Sequence, residues 1–159
     1  MAVPFSHVLA RAVAALSLVA VLVGGTSLPA VAGNTEFGRI RSVALAQIGD
    51  PWVSGATGPD RFDCSGFVYF AFRQAGLLDR IGGSRRSAAG YWDWFADRGR
   101  ASRTNAMRGD LVIWGSGRHI GIYLGDGKAI SALTSGVKVH GLYNLTVSFT
   151  TFLHVRISR

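Results

Sequence analysis

Apolar positions recur at helical spacing in the first half of the chain and alternate at strand spacing in the second. Phe37, Ile40, Ala44 and Ile48 fall on one face of a helix that Asn34 or Thr35 can cap and that Gly49 and Pro51 stop. Residues 52–62 are rich in Gly, Pro and Asp and read as a loop. A second helix is expected to open near Asp63 or Cys64, run through the apolar stretch 67–72 to Gln74, and stop at Gly76. Ser84 is a candidate cap for a third helix over Tyr91, Trp92, Asp93, Trp94 and Phe95, ending at Gly99. From Asp110 the period changes. Residues 110–114, 119–124, 128–132, 137–140 and 149–157 are short β-rich runs separated by turn signals. Gly125-Asp126-Gly127 marks a tight hairpin, because Asp-Gly tolerates positive φ. Helices followed by an antiparallel sheet of about five strands make an α+β domain.

The segment before residue 33 has a different character. A largely aliphatic core runs from residue 12 to 23 behind Arg11, and Ala30-Val31-Ala32 supplies small residues for a peptidase. Residues 1–32 are expected to be a cleaved signal peptide, leaving 33–159 as one domain, since the apolar core is well short of the roughly 20 residues of a membrane span. Of the 159 residues, 48% are hydrophobic, which excludes a disordered chain. The single Cys excludes an internal disulfide and any multi-thiolate metal cage. A formal charge of +8 predicts attraction to anionic polymers, here those of a cell wall. Export, and the spread of arginines from Arg39 to Arg159, argue against nucleic acid as the partner.

The lone cysteine sits in Phe62-Asp63-Cys64-Ser65-Gly66-Phe67, at the start of an apolar helix. A helix N-terminus carries about half a positive charge and favours thiolate over thiol. Small Ser65 and Gly66 leave room for a substrate backbone. A lone Cys is also, commonly, a small buried hydrophobe. The second element is Gly109-Asp110-Leu111-Val112-Ile113-Trp114 followed by His119-Ile120-Gly121-Ile122-Tyr123-Leu124-Gly125. Strand alternation puts His119, Gly121 and Tyr123 on one face, and Gly121 leaves space beside the imidazole. Either half alone is compatible with a structural role.

Together with Ala46-Gln47-Ile48-Gly49-Asp50-Pro51, these motifs resemble, in order and near-native spacing, the NlpC-type cell-wall peptidases, papain-like cysteine enzymes that cut peptidoglycan stem peptides. The resemblance runs from about Arg39 to Gly141. It implies a papain-like α+β fold with the Cys helix packed on the sheet, Cys64 as nucleophile, and His119 as general base and then acid, with no metal and no cofactor. The family's third catalytic position, twelve residues after the His, is usually His, Glu, Gln or Asn; here it is Ser131. His140 on the following strand is a second candidate to hold the imidazole. Twelve residues before the Cys the family usually has Tyr, and here Trp52 keeps the aromatic wall without the hydroxyl. The family's acidic residue before the Cys is Asp63, tied to recognition of the stem's free amine and equally able to cap the helix. Trp52, Asp63 and Ser65 are the expected substrate-binding residues. Arg85-Arg86 reads as a solvated helix start, and His154 as packing.

The implied function is hydrolysis of the D-γ-glutamyl–diamino acid bond by a secreted, wall-associated, monomeric enzyme that makes no stable membrane span once the leader is removed. A wall-binding module of the same fold with little hydrolysis is the alternative.

Overall fold

The computed structural model describes residues 35–159; the expected leader lies outside them. Thr35 caps the first helix, α1 (Glu36–Ala46), by accepting from the Gly38 amide at 2.9 Å. Its buried face is Phe37, Ile40 and Ala44. The expected continuation to Ile48 does not occur. The chain turns at Gly49, whose φ of 99° only glycine adopts easily and whose amide is bound by the Val137 carbonyl, so Ile48 is left 53% exposed.

Helix α2 (Cys64–Gln74) begins where the sequence places it, and Gly76 follows in the left-handed region. A 3-10 turn over Leu78–Ile81, unforeseen from the pattern, leads to α3 (Ala88–Ala96). Its cap is Ser87 rather than Ser84: the Ser87 hydroxyl accepts from the Gly90 amide, while the Ser84 carbonyl accepts from Arg86.

The sheet has six antiparallel strands: β1 (Ala101–Ser102), β2 (Leu111–Trp114), β3 (His119–Gly125), β4 (Lys128–Leu133), β5 (Gly136–Gly141) and β6 (Phe149–Leu153). Their spatial order is β1-β6-β2-β3-β4-β5. The four central and distal strands form a meander, and β6 returns to the other side of β2. Asp126 and Gly127 take positive φ in the β3–β4 hairpin, as expected of Asp-Gly.

Alternation divides the core. Leu111, Ile113, Ile120, Ile122 and Ile130 face the helices and pack with Phe67, Val68, Ala71 and Phe72 of α2. Val112, Trp114 and Ala129 form a second cluster on the opposite face with Leu142 and Phe152. Each such fully buried large side chain contributes about 1.5–3 kcal/mol, so the sheet is held from both sides and α2 is pinned against β3. Among the described residues no helix is long and apolar enough to cross a membrane.

Candidate active site

The site forms where the first turn of α2 meets the start of β3. Asp63 caps α2 and holds Cys64 at its first position. One Asp63 carboxylate oxygen accepts from the Gly66 amide at 2.6 Å and the Ser65 hydroxyl at 2.9 Å; the other accepts from the Gly55 amide at 2.9 Å and from Arg85. Burial pushes the Asp63 carboxyl up, but the Gly66 amide, the Ser65 hydroxyl and the Arg85 guanidinium outweigh it, and its pKa is lowered. The loop before the helix is pressed onto it: the Ala56 carbonyl fills the place a side chain at Gly66 would take. Gly66 therefore admits the protein's own loop rather than a substrate, and Ser65 is buried in the cap.

Cys64 and His119 line one cavity of about 410 Å³, together with Trp52, Arg118 and residues of the β4–β5 turn such as Thr134 and Ser135. Trp52, 38% exposed, forms part of that wall. Of the three expected substrate-binding residues the fold brings Trp52 to the cavity, whereas Asp63 and Ser65 stand behind Cys64 with their polar atoms engaged. Arg85, taken from sequence as solvated, is the residue that pairs with Asp63 and reaches Ser65 at 3.4 Å. No local signal marks it, because its partner lies 22 positions away across a loop.

His119 binds the Ser131 hydroxyl through Nε2 at 2.8 Å. Ser131 is fully buried on β4, next to β3 in the sheet. The space above Gly121 is taken by the Ile130 carbonyl, Ser131 and the Trp114 ring; a Cβ there would lie 2.7 Å from the Ile130 oxygen and 2.8 Å from Ser131 Cβ. The missing side chain thus seats the residue that holds the histidine. Trp114 packs against both His119 and His140, with ring centroids 5.5 Å from each, and its indole N–H donates to the Leu142 carbonyl at 2.8 Å. Sequence reasoning did not single Trp114 out.

The electrostatics differ from the expectation of a ready-made thiolate. Burial pushes the Cys64 thiol up, the Asp63 carboxylate adds to the rise, and the Ile120 amide beside the sulfur only partly opposes them. Burial, with the neighbouring His140, lowers His119 to about 4. Both directions favour a resting pair of neutral thiol and neutral imidazole. Among the described residues no group of three His, Cys, Asp or Glu side chains is placed to hold a metal ion.

A helix-borne cysteine and a strand-borne histidine sharing one hollow define a papain-like α+β constellation. The NlpC/P60 family model matches residues 49–156, and the chain belongs to that family. A Listeria grayi protein named "Probable endopeptidase p60" is 37% identical over 113 residues, covering 69% of this chain and 20% of that protein. The chain spans about a fifth of the length of the curated relatives it matches. The solved NlpC/p60 domain of the peptidoglycan hydrolase SagA is 30% identical with a TM-score of 0.57, covering 74% of this chain and 98% of that one. The peptidoglycan hydrolase RipB from Mycobacterium tuberculosis is 26% identical with a TM-score of 0.58, covering 83% and 68%.

Proposed function

We propose that this protein is a cysteine endopeptidase that hydrolyses peptidoglycan stem peptides at the D-γ-glutamyl–diamino acid bond. The observation that carries the reading is the pairing of Cys64, first residue of α2, with His119, first residue of β3, on the wall of one cavity. With Nε2 of His119 held by Ser131, Nδ1 is the nitrogen left for the thiol proton. His119 takes that proton as Cys64 Sγ attacks the amide carbonyl. The Cys64 amide, which has no intrahelical acceptor at the helix start, stabilises the oxyanion. His119 returns the proton to the leaving amine, the diamino acid departs, and a thioester remains on Cys64. Water, activated by the same imidazole, then releases the D-glutamyl carboxylate. The reaction needs no cofactor.

Residues 1–32 direct export, and the protein acts as a monomer at the wall, where its positive charge favours anionic polymers. The bond from Ser131 to His119 supports an active enzyme over a binding module of the same fold. Purified sacculi incubated with the protein and analysed by mass spectrometry test this. The expected products are muropeptides ending in D-glutamate from wild type and none from Cys64→Ala. Equal traces from both, with both still bound to sacculi, would establish the binding module.

A further inference from the structure

The groups behind His119 form a hydrogen-bonded row whose far end has a fixed role. The Gly141 carbonyl can only accept, and His140 Nδ1 lies 3.0 Å from it. His140 therefore carries a proton on Nδ1, and as a neutral ring it presents a lone pair at Nε2. Burial lowers the His140 pKa, which keeps the ring neutral. Ser131 Oγ lies 2.8 Å from that lone pair and gives it the hydroxyl proton. Toward His119, also at 2.8 Å, the serine then has only lone pairs to offer. His119 must donate through Nε2, which leaves Nδ1 bare.

We propose that His140 is a positioning residue that sets, through Ser131, the His119 tautomer able to accept the Cys64 proton. The consequence for catalysis rests on the peptidase reading; the tautomer assignment does not. A serine alone could equally donate to Nε2 and select the opposite, unproductive tautomer. His140 removes that ambiguity. The strand register supplies the contact: Ser131 faces Lys138 and Ala129 faces His140 across β4 and β5, so Ser131 and His140 are diagonal neighbours on one face. Because Ser131 is fully buried, solvent does not compete for its hydroxyl. Trp114 holds both rings in place.

The experiment is nitrogen-15 NMR of histidine-labelled resting protein, read beside steady-state kinetics on stem peptide. Wild type is expected to show His119 protonated on Nε2 only. His140→Leu leaves Ser131 free to turn its proton to His119, so the Nδ1–H form appears and kcat falls about two- to tenfold with KM unchanged. His140→Gln, whose side-chain oxygen reaches the same point, restores both. Ser131→Ala cuts the row at its middle and abolishes the preference, and it serves as the test if His140→Leu does not fold. Adding His140→Leu to Ser131→Ala should cost nothing further. An unchanged His119 tautomer in His140→Leu, or additive losses in the double variant, overturns the proposal. If wild type shows the tautomer and its dependence on His140 yet releases no stem fragment, this assignment stands and the peptidase reading falls.

Discussion

Two separate rows of hydrogen bonds in this domain are built around histidines, one at His119 and one at His154, and only the first shares a cavity with the cysteine. His154 binds the Asp110 carboxylate through Nδ1 at 2.9 Å and the Ser102 hydroxyl through Nε2 at 2.7 Å. That is the connectivity of a serine hydrolase triad. The Ser102 hydroxyl, however, is tied into the turn at Thr104, to whose carbonyl it donates at 3.0 Å, and both imidazole nitrogens are occupied. Asp110, fully buried, also accepts from the amides of Met107 and Val155 and from Arg159, fastening the C-terminal segment to the start of β2. The hollow beside His154, about 540 Å³, is lined by Glu36, arginines and apolar residues but not by Ser102. At His119 the pattern is reversed. One nitrogen is held, the ring shares its cavity with Cys64, and the group behind it is the Ser131 hydroxyl rather than a carboxylate. Donor–acceptor connectivity alone does not distinguish the two rows; the proposed function rests on the unspent imidazole nitrogen that shares a cavity with a cysteine at a helix start.

The comparison breaks most sharply by exchanging the damage. His119→Gln should lower kcat by about 10³-fold or more, as expected when the base of a cooperating pair is lost, with little change in unfolding midpoint. His154→Gln should do the opposite, retaining kcat and unfolding earlier in urea. Comparable losses of kcat in the two variants would mean that the two rows are not functionally distinct. Next in size, Asp110→Ala leaves buried amides and Arg159 without their acceptor. It should destabilise the fold by about 3–5 kcal/mol in urea titration, the scale for removing one partner of a buried pair, while the folded fraction keeps its kcat. A smaller effect is expected of Ser131→His, which restores the family's common third residue. With His140 already 2.8 Å from Ser131 and Gly121 pressed against it, the larger ring has no room. Overpacking should cost about 1–3 kcal/mol, and activity should fall rather than rise; a gain would show that the pocket relaxes.

The same contrast sets a pH dependence. His119 is held down to about 4 by burial and by His140. An ordinary imidazole titrates near 6.5, at about the value the unfolded chain would show. On acidification the unfolded state therefore binds the proton first. The stability linked to His119 is fully present above about 6.5 and is lost as pH falls toward 4. The acid limb of kcat/KM, which reports loss of the neutral base, should likewise lie well below the ordinary histidine value. A limb at or above that value would mean that the imidazole holds its charge beside a thiolate.

Much of the site is legible in the residues because its anchors are local. Asp63 caps the helix one residue before the cysteine it positions, the apolar run behind it announces α2, and Asp126-Gly127 announces the β3–β4 hairpin. The α+β class follows from these, and the papain-like arrangement is what the resemblance of the motifs implies. Features that escaped depend on register or on distance. The diagonal from Ser131 to His140 exists only once β4 and β5 are paired, so His140 reads as a rival to Ser131 although the two are hydrogen-bonded in line. Arg85 meets Asp63 only through the folded loop. Strand β1, two residues long, has no period to detect. The helix start does favour the thiolate at Cys64, but the same packing that pins α2 to β3 also dries the sulfur, and burial is the larger effect.

The rate of Cys64 alkylation by iodoacetamide as a function of pH tests the neutral pair most directly, since Cys64 is the only thiol in the chain. A single rise is expected, with a midpoint above the free-thiol value of about 8.5, and no reactive plateau at neutral or acidic pH in wild type. A fast plateau extending below pH 6.5, abolished in His119→Gln, would reveal a standing thiolate–imidazolium pair and contradict it.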